Sequence, residues 1–101
     1  MKPYFLVIEL QYFRLIESGV QTCEIRPNNH RGWNTKNIYE GREVTISGGY
    51  GKQHRMLKRI AHGDIISDLS AFGVPAWHTV AVEQIYGAGR EWLVAWFEEP
   101  K

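Results

Sequence analysis

The chain holds one cysteine among 101 residues, so no disulfide can close within it, and a reducing cytoplasm is the expected setting. No apolar run reaches the length of a membrane span. The strongest, Tyr4-Phe5-Leu6-Val7-Ile8, is also too short for the core of a signal peptide, so no association with a membrane is expected. Neither sign of charge dominates: twelve Lys and Arg against eleven Asp and Glu leave a net charge of +1. Any pull on nucleic acid must then come from a local patch rather than from the whole molecule. His30, His54, His62 and His78 are scattered without the close pairing that zinc needs, so neither a metal nor a cofactor is expected. Gly48-Gly49-Tyr50-Gly51 lacks the spacing of a phosphate-binding loop and reads as a turn. No internal repeat, low-complexity tract or Ser-His-acid order is present.

What the chain has in quantity is aromatic surface, with four Trp, five Tyr and four Phe. A chain of this length builds one modest core, and residues 1–101 are read as a single domain. Large rings fill a small barrel well.

Residues 4–10, rich in β-branched and aromatic side chains, predict a buried first strand. Residues 11–18 switch to helical spacing through Tyr12, Phe13 and Ile16, with Gly19 placed to end the helix in a left-handed turn. A second strand over 22–26 is stopped by Pro27, residues 28–40 are loop-like around Trp33, and 42–47 form a third strand. Residues 52–62 allow two readings: Met56, Leu57, Ile60 and Ala61 fall at helical spacing, whereas a chain leaving a Gly-rich turn is expected to return as a strand. The strand is preferred. Residues 64–76 read as a connection with a short helix begun at Ser67-Asp68. Residues 79–86 and 91–98 read as two strands joined through Gly87-Ala88-Gly89 as a hairpin. The expected architecture is mostly β with one or two short helices, an α+β chain forming a small, partly open barrel.

Alternation along the second strand puts Thr22, Glu24 and Arg26 on one face and sends Cys23 and Ile25 to the other, where they read as core. A hydroxyl, a carboxylate and a planar guanidinium on one face suit the reading of a small polar ligand such as a nucleobase. The plainer reading of Glu24 and Arg26 is a surface ion pair. Trp33 and Tyr50 are stacking candidates, with loop anchoring as the alternative for Trp33. Lys52, Arg55, Lys58 and Arg59 lie in an acid-free stretch that could track a nucleic-acid backbone, or simply guard a solvated sheet edge.

The string Gly19-x-Gln21-x-x-Glu24-x-Arg26 resembles the G-x-K-x-x-E-x-R signature of ASCH domains, a branch of the PUA-like barrels, with Gln21 where the family has Lys. Trp33, Gly49, Tyr50, Met56 and Ile60 extend the likeness in order, over roughly residues 4–62. The resemblance implies a PUA-like barrel with a cleft beside the signature strand and RNA or a modified nucleoside as ligand. Some ASCH proteins are amidohydrolases that remove the acetyl group of N4-acetylcytidine with a Lys, a Thr and a Glu, and others are proposed RNA binders or ribonucleases. A carboxamide at position 21 has no titratable amine and cannot serve as base or nucleophile. The expected function is therefore non-catalytic binding of RNA or a nucleobase-like ligand by Gln21, Thr22, Glu24 and Arg26, flanked by Trp33, Tyr50 and Arg55. The alternative is an enzyme of the same fold in which Thr22 and Glu24 act with Lys52 as the substitute base. A third reading is an adaptor that offers its basic strand to an acidic protein.

Overall fold

The computed structural model describes residues 2–98, and within them five strands and two α-helices form an α+β fold. Strand β1 (Tyr4–Ile8) leads directly into α1 (Leu10–Glu17), which ends at Gly19 with φ of 83°, as its sequence predicts. Strand β2 (Cys23–Pro27) stops at the turn where Asn29 takes a φ of 70°. Consecutive turns then lead to β3 (Glu43–Gly48) and, past the Gly-rich turn, to β4 (Arg55–Ile66). A 3-10 turn (Ser70–Phe72), α2 (Ala76–Tyr86) and β5 (Trp92–Phe97) complete the described chain.

The strands form one sheet in the order β1-β3-β4-β5-β2, with β1 parallel to β3 and every other pair antiparallel. Strand β4 is the hinge of this arrangement. Its first half pairs with β3 and its second with β5, and the register slips between Ile60 and His62. A bulge of this kind bends a strand and increases its twist, so the sheet curls into a half-barrel. That curl leaves β1 and β2 as the two free edges. The strand reading of 52–62 is the one realised, starting at Arg55.

Residues 79–86 are not a strand; they lie within α2. Thr79, Val80, Val82 and Ile85 carry high β propensity, but propensity yields to tertiary packing. The helical period is carried by His78, Ala81, Val82 and Ile85, which line one wall of a cleft, while Pro75 precedes the helix and Gly87, at φ of 89°, follows it. Gly87-Ala88-Gly89 is accordingly a helix-to-strand connection and not a hairpin.

Each face of the sheet carries its own core. Phe13 and Ile16 of α1 pack with Trp33, Val44, Ile46, Ile60, Leu93, Ala95 and Phe97 inside the curl. Val82 of α2 packs outside it with Cys23, Ile25, Trp92 and Val94. Helix α1 lies close against β3 because Gly48 lacks a side chain: a Cβ there would meet Leu10 Cδ1 and Phe13 Cγ at 3.0 Å. Overpacking of a filled core costs about 1–3 kcal/mol. Gly48→Ala should therefore lower stability by about 1–2 kcal/mol in urea unfolding, and an unchanged midpoint would mean that α1 shifts freely.

Candidate functional site

The two free edges meet in a seam, bridged by Arg26 of β2 and the Val7 carbonyl of β1, and a cleft lies there. About 190 Å³ in volume, it is lined by Val7, Ile8 and Glu9 at the end of β1, Tyr12 of α1, Gln21, Glu24, Ile25 and Arg26 at β2, and His78, Ala81, Val82, Ile85 and Tyr86 of α2. It slightly exceeds an engineered cavity of about 150 Å³ that accepts benzene, so its capacity is one small ring system.

Alternation along β2 builds the polar wall. Glu24 and Arg26 pair across to Ala95 and Leu93, which belong to the inner core, so both charges point inside the curl. Arg26 Nε donates to Glu24 Oε2 at 3.2 Å and Arg26 Nη2 donates to the Val7 carbonyl at 2.8 Å. Arg26 also lies 5.7 Å from the centroid of the Trp33 ring. One side chain thus ties β2 to β1 across the gap in the sheet. Burial raises the pKa of the Glu24 carboxyl above its ordinary value, while the charge and hydrogen bond of Arg26 and the Ile25 amide oppose that rise.

The open edge of β2 is guarded by its own sequence. Hydrogen bonds from Asn28 N–H to Glu91 C=O and from Phe97 N–H to Thr22 C=O bracket the ladder with β5, which turns the backbone groups of Cys23 and Ile25 outward. Gln21 Nε2 donates to the Cys23 carbonyl at 2.9 Å, the Glu24 carboxylate accepts from the Ile25 amide, and Pro27 has no N–H to offer. The bond to Cys23 fixes the orientation of the Gln21 amide. Its Oε1 is left buried with no partner among the described residues.

His78 enters from α2, 3% exposed. Burial lowers its pKa to about 4, so the ring is neutral near pH 7, and the Cys23 thiol lies 3.8 Å from Nδ1. Cys23 donating there would put the ring proton on Nε2. Burial pushes the Cys23 thiol up to about 12, with the Glu24 charge adding to the rise, which makes it a poor nucleophile.

Of the residues singled out from sequence, Gln21, Glu24 and Arg26 come together in the seam. Thr22 points elsewhere, into a second cleft with Lys58. Trp33 is a core residue, 1% exposed, whose Nε1 donates to the Leu93 carbonyl at 2.7 Å. Loop anchoring, not base stacking, is its role, and it touches the seam only through Arg26. Tyr50 is 89% exposed and lies outside the lining of the seam cleft, although Gly49 N–H is bonded to the Ile8 carbonyl beside it. Lys52 is exposed in the same turn and does not reach the cleft, so it is not the substitute base. Arg55 stacks on Phe5 with 5.1 Å to the ring centroid.

The four basic residues do not form one patch. Alternation turns Lys58 inward opposite Val44, while Arg55 and Arg59 are exposed, and Arg59 lies 3.9 Å from Glu43. Tyr12, His78 and Tyr86 were not anticipated as cleft residues. His78 carried a usable signal in its spacing to Ala81, Val82 and Ile85, which only a helical reading of the segment exposes. No group of three or more metal-ligating side chains occurs among the described residues.

Fold and cleft together define a small half-barrel with a ring-sized recess of mixed apolar and charged lining at the unclosed seam of its sheet. No known protein family and no curated protein matches the chain in sequence. No helix among the described residues is long and apolar enough to cross a membrane.

Proposed function

We propose that this is an ASCH-like domain that binds a single nucleobase or nucleoside, free or within RNA, in the seam cleft without transforming it. The observation that carries the reading is the inward-facing Glu24–Arg26 pair in a recess of one-ring capacity. Buried charges are costly, and a domain of this size gains more from an apolar pair unless the charges serve recognition. Arg26 supplies planar donors, Glu24 an acceptor, and Tyr12, Tyr86 and the neutral His78 give aromatic walls with polar tips.

The test is calorimetric titration of wild type and Arg26→Lys with cytidine, uridine and adenosine, each variant being checked for folding by thermal melting. Lys keeps the charge and loses the fork. Charge-assisted hydrogen bonds contribute about 1.5–3 kcal/mol, so affinity should fall at least tenfold. Equal affinity in a folded Arg26→Lys protein would remove Arg26 from the site.

One observation favours a second reading, an amidohydrolase or ribonuclease of the same fold. A carboxyl with a raised pKa in a cleft, as at Glu24, is a recurrent property of general acid–base groups. With Gln21 committed to Cys23 and Lys52 outside the cleft, however, no titratable amine accompanies it. Wild type should leave N4-acetylcytidine intact by chromatography. Turnover that disappears in Glu24→Gln would establish the enzyme instead.

A further inference from the structure

A second cleft, of about 260 Å³, opens where the C-terminal end of α1 faces the inner side of the sheet, and it holds complementary polar groups that the seam reading does not use. Lys58 and Thr22 line it, Glu17 and Glu98 stand at its borders, and Ile16 and Phe97 supply apolar wall. Lys58 lines this cleft because β4 places it on the inner face opposite Val44. Among the described residues its ammonium makes no ion pair within 4.0 Å, although two carboxylates line the same space. Gln21, 3% exposed, forms part of this wall as well as of the seam cleft.

We propose that this second cleft is a site for an α-amino acid with an apolar side chain. The carboxylate of such a ligand would accept from Lys58 and from the Thr22 hydroxyl. Its ammonium would be drawn by Glu17, Glu98 and the negative end of the α1 dipole. Its side chain would cover Ile16 and Phe97. The two acids disfavour a phosphate dianion, and the unpaired lysine disfavours a simple amine; a zwitterion satisfies both signs. The inference is independent of ring binding in the seam.

The experiment is a heteronuclear NMR titration of the full chain with L-leucine, N-acetyl-L-leucine and L-leucinamide. L-leucine should produce saturable shifts at Thr22, Lys58 and Phe97. Each of the other two probes lacks one charge and should bind at least tenfold more weakly. Lys58→Met should weaken L-leucine by at least tenfold while leaving nucleoside titration of the seam unchanged. Absence of saturable shifts with L-leucine up to tens of millimolar overturns the proposal. So does binding of L-leucinamide as tight as that of L-leucine, or an unaltered L-leucine affinity in Lys58→Met.

Discussion

Arg26→Met is expected to destabilise the domain by about 3 kcal/mol in urea unfolding at pH 7. Removing one partner of a buried ion pair typically costs about 3–5 kcal/mol because the other charge is left stranded. The Arg26 side chain is 24% exposed and that of Glu24 11%, which places the expected loss at the lower end of that range. The same substitution removes the 2.8 Å bond to the Val7 carbonyl that spans the seam, so amide exchange in β1 should quicken. Glu24→Gln combined with Arg26→Met should recover about 1–2 kcal/mol relative to the single variant, since no buried charge then remains. A single variant as stable as wild type would show that the pair is solvated and that the seam closes without it. The pH dependence follows from the raised carboxyl. A folded-state pKa above the unfolded value means that Glu24 favours folding most below the ordinary Glu range, and this contribution is lost as pH rises through the folded value. Loss of Arg26 removes the influence that lowers that value, so the decline should extend to higher pH in Arg26→Met.

Acid should act on the domain through His78 in the opposite sense. Its pKa falls from 6.5 to about 4 on folding, so the unfolded chain takes up a proton that the folded protein refuses. The neutral ring contributes fully above pH 6.5, and that contribution is lost as pH falls through the window down to about 4. At about 1.4 kcal/mol per pKa unit, the loss amounts to about 3 kcal/mol. His78→Phe keeps an aromatic ring against Trp77, whose centroid lies 5.1 Å away, and deletes the titration. The stability difference between wild type and His78→Phe, followed by urea unfolding from pH 7 to pH 4, should move by about that amount in favour of the variant. Glu24 is present in both proteins and largely cancels from the difference. A flat difference would mean that His78 is hydrated in the folded state.

Local periodicity made much of this fold legible. The period-two pattern from Thr22 to Arg26 separated the core face, Cys23 and Ile25, from the polar face, and the helical spacing of Tyr12, Phe13 and Ile16 before Gly19 placed α1. Both patterns depend only on neighbours within one element. Segment 79–86 failed on the same logic, because four β-branched residues in a row of eight obscured a helical face whose purpose lies in the packing of Val82 against β2 and β5. The site was half legible: Glu24 and Arg26 were placed on one strand face, with Gln21 just before the strand, but nothing local marked His78, Tyr12 or Tyr86 as their neighbours.

The sequence by itself determined that Glu24 and Arg26 would share one face of the second strand, since chain alternation alone requires it. Only the tertiary structure decided what that pair faces. The bend of β4 at Ile60 and His62 curls the sheet until its two edges stand opposite each other, which brings Val7 within reach of Arg26 from a position nineteen residues away. Pairing of β4 with β3 set Lys58 on the inner face, and the fold then brought it to one cleft with Thr22. Such meetings depend on strand order and curvature, which arise from packing across the whole core and leave no periodic trace in the chain.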